Sequence, residues 1–128
     1  MGSSLDHVAI GVADLDGGVA MLTSTFGMVL KRMGTHVASG GRIAFLADPA
    51  SGMKLELIET PDRQTGFMHV AFRVDDVAAE HARLTSAGFE TVRGPFRLEP
   101  ARADTALLRD PSGLEVQIIR YDTDSPDL

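Results

Sequence analysis

Two stretches of the chain alternate apolar and polar positions in the same way, about sixty residues apart. The runs His7–Leu15 and His69–Val77 both open with a histidine, continue with alternating apolar side chains and reach an acidic residue at their end. Downstream, the Asp-Pro pairs at 48–49 and 110–111 are both followed by a Ser-Gly pair. The pattern therefore predicts two copies of one supersecondary unit.

Within each copy, a period of two predicts strands and a period near 3.6 predicts one helix. The strands expected in the first copy are 6–12, 28–37, 42–47 and 53–59. Those expected in the second copy are 67–74, 90–96, 105–109 and 114–121. The first helix is expected from a cap at Asp14 to a stop at Gly27, and the second over 77–87, capped by Asp75 or Asp76. The sequence thus predicts an α+β fold of two tandem βαβββ modules, with a curved sheet around an internal cleft and the helices outside.

The two modules are expected to form a single domain over residues 1–128. Module one covers 5–60, a linker 61–66, and module two 67–121. A unit of about sixty residues buries only about 60% of its unfolded surface, so each module is marginal alone. The polar segment 122–128 contains Pro126 and is expected to be a loose tail.

Composition narrows the class of protein. With 128 residues, 44% hydrophobic and 23% charged, the chain has enough apolar material for the core of one soluble globular domain. A net charge of -6 without a basic cluster argues against nucleic-acid binding. Apolar runs fall short of the ~18 residues that predict a membrane span, and the first residues do not resemble a signal peptide, so a cytoplasmic location is expected. Because there is no cysteine, any metal must use nitrogen and oxygen donors.

Strand parity gathers one polar side chain from each of four strands. In the first strand of each module the large apolar residues suit the helix side, which leaves His7 and His69 on the opposite face. In the last strands the same argument leaves Glu56 and Gln117 on that face. Two imidazoles, a carboxylate and an amide oxygen suit one divalent ion, namely Zn, Ni, Co, Mn or Fe.

These residues carry a family resemblance. The motifs Asp6-His7-Val8-Ala9 and His69 to Asp76, with Asp110-Pro-Ser-Gly113 before Val116-Gln117-Ile118, resemble the vicinal-oxygen-chelate superfamily over residues 5–121. That superfamily includes glyoxalase I, methylmalonyl-CoA epimerase, extradiol dioxygenases and fosfomycin- and bleomycin-resistance proteins. The resemblance implies the same four metal ligands, a small-molecule substrate and a homodimer.

The chain departs from each branch of that superfamily. The epimerase usually supplies its glutamine before its glutamate, whereas here Glu56 comes first and Gln117 last. Glyoxalase I has a carboxylate where Gln117 stands, and its glutathione-anchoring Arg and Asn correspond to Gly11 and Thr60. Extradiol dioxygenases and fosfomycin transferases place their single carboxylate at the position of Gln117. Bleomycin binders use aromatic walls, and this chain has no Trp and one Tyr.

The chemistry that remains is metal-assisted proton transfer next to a carbonyl or thioester, as in a glyoxalase-like lyase or an epimerase. Glu56 is the expected base, with Glu115 in reserve because it lies two residues from Gln117 on the same face. Arg73 either binds a substrate carboxylate or phosphate, or pairs with Asp75 or another acid.

Two alternative functions stay open beside the lyase or epimerase. The cleft of a non-catalytic protein of the resistance type would bind a small molecule with or without metal, and a dioxygenase on the same fold is a further alternative. His36 and His81 are expected to be structural, with His81 half-packed under the second helix.

Overall fold

The computed structural model describes residues 3–60 and 65–128. The chain divides into two compact units, an amino-terminal unit of His7–Met68 and a carboxyl-terminal unit of Met1–Asp6 with His69–Leu128. Of the linker expected at 61–66, residues 61–64 lie outside the described residues, and Gly66 already begins a strand.

The amino-terminal unit contains one helical segment and the first four strands, except for the first three residues of the first strand. Strand β1 is Ser4–Val12, β2 is Val29–Thr35, β3 is Arg42–Ala47 and β4 is Lys54–Glu59. Their order in the sheet is β2-β3-β4-β1. β4 runs parallel to β1, whereas β3 is antiparallel to both β2 and β4. Helix α1, Leu15–Ala20, follows β1 and continues as a π-helix over Met21–Thr25.

The carboxyl-terminal unit repeats this topology. Strand β5 is Gly66–Arg73, β6 is Glu90–Leu98, β7 is Ala103–Arg109 and β8 is Glu115–Tyr121, in the sheet order β5-β8-β7-β6. β8 is parallel to β5 and antiparallel to β7. Helix α2, Val77–Ser86, follows β5, and a 3-10 turn over Glu99–Ala101 joins β6 to β7. The α+β class and the two βαβββ modules are confirmed.

The predicted local signals explain where the elements start and stop. Asp14 accepts a hydrogen bond from the Gly17 amide at 3.0 Å and caps α1. At α2 the structure selects Asp76 over Asp75, since the Asp76 carboxylate accepts from the Ala79 amide at 3.0 Å. A side-chain acceptor at this position satisfies one of the amides that a helix start leaves unpaired.

Both units bury apolar side chains on both faces of their strands. In one unit Leu15 of α1 packs with Ala44, Leu46 and Leu57. In the other, Val77 of α2 packs with Val74, Ala106, Leu108 and Ile118. Smaller clusters lie on the opposite faces, made of Ala9, Ile43 and Ile58 in one unit and of Ala101, Ala103, Ile119 and Tyr121 in the other. The faces without a helix are therefore also excluded from water, which sets the conditions for the polar side chains they carry.

The segment after β8 differs from the loose tail that was expected. Ser125 and Asp127 are buried, and the Ser125 hydroxyl donates to the carbonyl of Ala101. The Asp122 amide donates to the Arg102 carbonyl at 2.8 Å. Polar residues thus hold this segment through backbone contacts, which a composition argument does not register.

Among the described residues, no helix has both the length and the apolar character needed to cross a bilayer.

Candidate metal centre

In the amino-terminal unit, neighbouring parallel strands bring His7 and Glu56 together. The register pairs His7 with Lys54 and Ala9 with Glu56, so the two side chains leave the same face of the sheet. His7 Nε2 lies 3.7 Å from Glu56 Oε1, and the two side chains are 3% and 14% exposed. The ring of Phe45 meets the imidazole edge to face, with centroids 4.9 Å apart. The imidazole is therefore held in place by packing as well as by the carboxylate.

Lys54 is a polar residue of this face that the sequence argument missed. It lies two residues before Glu56 on β4 and is only 6% exposed. Its ammonium lies 5.6 Å from the centre of the Phe45 ring. The spacing of Lys54 from Glu56 was the available signal, because side chains two apart on a strand share a face.

In the carboxyl-terminal unit, His69 and Gln117 occupy the equivalent strands, and both are buried. The register pairs Gln117 with Ala71, which lies two residues after His69 on the same face of β5. The Gln117 amide nitrogen donates to the Thr105 hydroxyl at 2.9 Å, and that hydroxyl donates to the Ile118 carbonyl at 2.8 Å. Because a hydroxyl has one hydrogen, it can only accept from Gln117, which fixes the orientation of the amide.

Three of the four predicted ligands offer donor atoms that lie within 4.8 Å of one another, namely those of His7, Glu56 and His69. Two imidazole nitrogens and one carboxylate oxygen form a donor set that suits Zn²⁺ and related divalent ions. The residues present therefore fit a metal ion, and His7, Glu56 and His69 could bind one.

Glu115, the reserve base, lies at the start of β8. Its carboxylate is 3.7 Å from the Arg109 guanidinium, which also lies 3.2 Å from Glu90. Glu115 thus belongs to a row of surface charges across β6, β7 and β8.

Arg73 pairs with an acid other than Asp75. Its guanidinium lies 3.5 Å from Asp6, whose side chain is 1% exposed, while the Arg73 side chain is 43% exposed. The guanidinium also lies 5.3 Å from the centre of the Tyr121 ring, and the Tyr121 hydroxyl donates to Asp6 at 2.6 Å. Burial, with the nearby Asp6 charge, raises the pKa of Tyr121 far above its usual value.

The two other histidines lie away from these strand faces. The His36 ring contacts the Ser39 hydroxyl at 2.7 Å in the β2–β3 turn, and burial lowers the pKa of His36. The His81 ring, on α2, lies 2.9 Å from the Thr91 hydroxyl on β6. Both contacts agree with the structural roles expected of them.

Comparison with known proteins identifies relatives along most of the chain. A probable lactoylglutathione lyase of Vibrio cholerae is 26% identical over 89% of this chain and 88% of its own. A methylmalonyl-CoA epimerase of Mycobacterium tuberculosis is 28% identical, with a TM-score of 0.81 over 92% of this chain and 87% of that one. A variant of the Streptomyces coelicolor methylmalonyl-CoA epimerase, in complex with 2-nitronate-propionyl-CoA, shares the fold at 23% identity, with a TM-score of 0.80 over 96% and 100% of the two chains.

Residues 4–118 match the family described as Glyoxalase/Bleomycin resistance protein/Dioxygenase superfamily. That match includes the first module, nearly all of the second and all four predicted ligands. The chain therefore belongs to the Glyoxalase/Bleomycin resistance protein/Dioxygenase superfamily.

Proposed function

We propose that this protein is a metal-dependent lyase or epimerase of glyoxalase type, which moves a proton next to a carbonyl or thioester of a small substrate. The observation that carries the proposal is the closeness of three donor groups, on the buried His7 and His69 and on the partly buried Glu56. Relatives named as lactoylglutathione lyase and methylmalonyl-CoA epimerase support this class of reaction.

One divalent ion would be held by His7, Glu56, His69 and Gln117. The fixed amide of Gln117 supports its inclusion, because Thr105 takes the nitrogen end and leaves the oxygen as the donor. When bound, such an ion polarises a carbonyl and lowers the cost of removing the neighbouring proton. Zn, Ni, Co, Mn and Fe all accept this set of donors.

Glu56 is the proposed base. Its carboxylate is mostly buried and lies beside His7. It would therefore lie near a carbonyl held by the ion and could accept a proton from the adjacent carbon. Glu115 is the weaker candidate, because its carboxylate already faces the Arg109 guanidinium at the surface. Arg73 is proposed to bind an anionic group of the substrate, which its partly exposed guanidinium favours.

The proposed substrates are a CoA thioester, as the name methylmalonyl-CoA epimerase of one relative suggests, or a hemithioacetal, as the resemblance to glyoxalase I implies. Gly11 and Thr60 stand where glyoxalase I anchors glutathione, and Gly11 has no side chain to offer. This favours a thioester, or a thiol adduct other than that of glutathione. A homodimer in the cytoplasm completes the proposal, as the family resemblance implies.

Exchange of the substrate α-hydrogen with deuterated solvent tests the proposal. Metal-loaded protein should exchange the α-hydrogen of either methylmalonyl-CoA or a hemithioacetal of methylglyoxal. Glu56→Gln should lower the exchange rate by two orders of magnitude or more, roughly the loss expected when a general base is removed, because an amide cannot accept the proton. Some metal binding should persist in this variant, since the amide oxygen remains a donor.

Glu59→Gln is the matched control. Glu59 lies on the same strand but on the other face, where it accepts a hydrogen bond from the Leu15 amide at 3.2 Å. Its variant should exchange at the wild-type rate. If metal-loaded wild-type protein exchanges none of these substrates, and a small molecule co-purifies with it unchanged, the protein is a binding protein instead.

A further inference from the structure

We propose that Lys54 sets the electrostatic charge of the metal-binding face, so that it weakens binding of the cation and strengthens binding of anions to the metal-loaded site. This role rests on the proposed function, because it concerns the ion that His7 and Glu56 would hold.

The position of Lys54 follows from the strand register. Lys54 is the cross-strand partner of His7 in the parallel β1–β4 pair, and Glu56 follows two residues later on the same face. Neighbouring strands lie roughly 4.8 Å apart, and residues two apart along a strand lie roughly 6.6 Å apart. The stem of Lys54 therefore begins next to both proposed ligands.

Lysine side chains usually extend the ammonium group into solvent, but that of Lys54 does not. Lys54 is only 6% exposed, and lysine is among the residues least often buried to this degree. Its ammonium lies 5.6 Å from the centre of the Phe45 ring, whose negative face attracts a cation. The same ring contacts His7 edge to face, so one aromatic side chain holds both the imidazole and the ammonium.

A fixed positive charge at this place has two opposite effects. It repels an incoming divalent cation, and it attracts the negative charge that a carbonyl gains when a neighbouring proton is removed. The ammonium and the His7 ring both contact the Phe45 ring, which places them no more than about 10 Å apart. At that distance from a divalent ion, and with an effective dielectric constant of about 50, between the values for bulk water and for a protein surface, a unit charge changes either equilibrium about tenfold. Lys54 would thus lower the affinity of the site for the metal ion and raise the affinity of the metal-loaded site for enolate-like anions.

Metal affinity of the intact protein provides the test, measured by competition titration with Ni²⁺ alone. Lys54→Met keeps the aliphatic stem against Phe45 and removes the charge, so Ni²⁺ should bind about tenfold more tightly. Lys54→Arg keeps the charge and should bind Ni²⁺ as the wild type does. Oxalate, a small dianion, should bind the Ni²⁺-loaded Lys54→Met protein about tenfold more weakly than it binds the loaded wild type.

Lys31→Met is the matched control, since Lys31 lies on β2, two strands away from β4 in the sheet, and is the other lysine of the sequence. Its Ni²⁺ affinity should be unchanged. Lys54→Gln gives a second neutral variant should Lys54→Met fail to fold. The inference is overturned if both folded neutral variants bind Ni²⁺ like the wild type, or if Lys54→Arg tightens binding as much as they do. A wild-type protein that binds no Ni²⁺ would overturn both the inference and the proposed function. The role of Lys54 alone is overturned when the wild type binds Ni²⁺ but the neutral variants bind it equally well.

Discussion

At the scale of single residues, His69 and His81 differ in burial and in what surrounds them. His69 lies buried on a strand face, and its ring belongs to the group of close donor atoms. His81 contacts a threonine on the next strand and lies outside that group. His69→Ala should therefore abolish metal binding and leave the fold intact, whereas His81→Ala should keep the ion. Metal content after dialysis, with circular dichroism to check the fold, measures both. Loss of the ion from the His81 variant alone would show that the strand parity is assigned wrongly.

The same scale shows what sequence reasoning can reach at the site. The positions of His7, Glu56, His69 and Gln117 follow from the period of two and from the repeat, because each is a polar residue on the strand face opposite the large apolar residues. Lys54 was missed because a lysine at the start of a strand is usually solvated. In the folded protein Lys54 is buried and lies against Phe45, a residue from the neighbouring strand. Contacts between strands of this kind have no signal in the spacing of one strand.

At the scale of elements, the cap of α2 offers a clean measurement. Asp76→Ala removes the acceptor for the Ala79 amide and should lower the free energy of unfolding by about 1 kcal/mol. Asp75→Ala is the control, since its carboxylate does not cap the helix, and should change the free energy by less than about 0.5 kcal/mol. Urea unfolding followed by circular dichroism provides both values. Equal losses in the two variants would show that the neighbouring carboxylate serves the helix as well.

The carboxylate of Glu59 on β4 accepts a hydrogen bond from the Leu15 amide at the start of α1. This contact makes the free energy of unfolding depend on pH. Hydrogen bonds from Arg42 and from the Leu15 amide lower the pKa of Glu59. A depressed pKa in the folded state stabilises the protein above the unfolded pKa of the glutamate, and this stabilisation is lost as pH falls through the folded pKa. Below about pH 4.3 the wild type should therefore lose stability faster than Glu59→Gln does. Thermal unfolding of both proteins between pH 3 and pH 7 tests this, and parallel curves would contradict it.

The end of the first helix and the carboxyl-terminal segment are two features that the spacing of residues does not predict. The apolar spacing from Leu15 to Phe26 predicts one continuous helix, and the extent is nearly right, but the last part is a π-helix. Spacing alone does not distinguish the two forms, because they differ by one residue in the hydrogen-bond step. At the carboxyl end, Ser125 holds the tail through a carbonyl of a distant turn, a contact that depends on the folded unit.

At the scale of the whole molecule, a bound ion should contribute to stability as a ligand of the folded state. An ion that binds only the folded chain at a hundred times its dissociation constant adds about 2.7 kcal/mol to the free energy of unfolding. EDTA should lower the melting temperature of the purified protein, and Zn, Ni, Co or Mn should restore it. A protein without metal by elemental analysis, and with a melting temperature indifferent to EDTA and to all these ions, would contradict the metal site.

The hydrogen bonds around Gln117 bear on how readily this site could be converted to a two-carboxylate one. Gln117→Glu would place an acceptor against the Thr105 hydroxyl, whose only hydrogen is already given to the Ile118 carbonyl. Either two oxygen lone pairs then face each other in a buried position, or the hydroxyl turns and abandons the carbonyl, at a cost of about 1 kcal/mol or more. Glutamine at position 117 of β8 therefore depends on Thr105 of β7. A second carboxylate at this position requires a substitution of Thr105 as well as of Gln117.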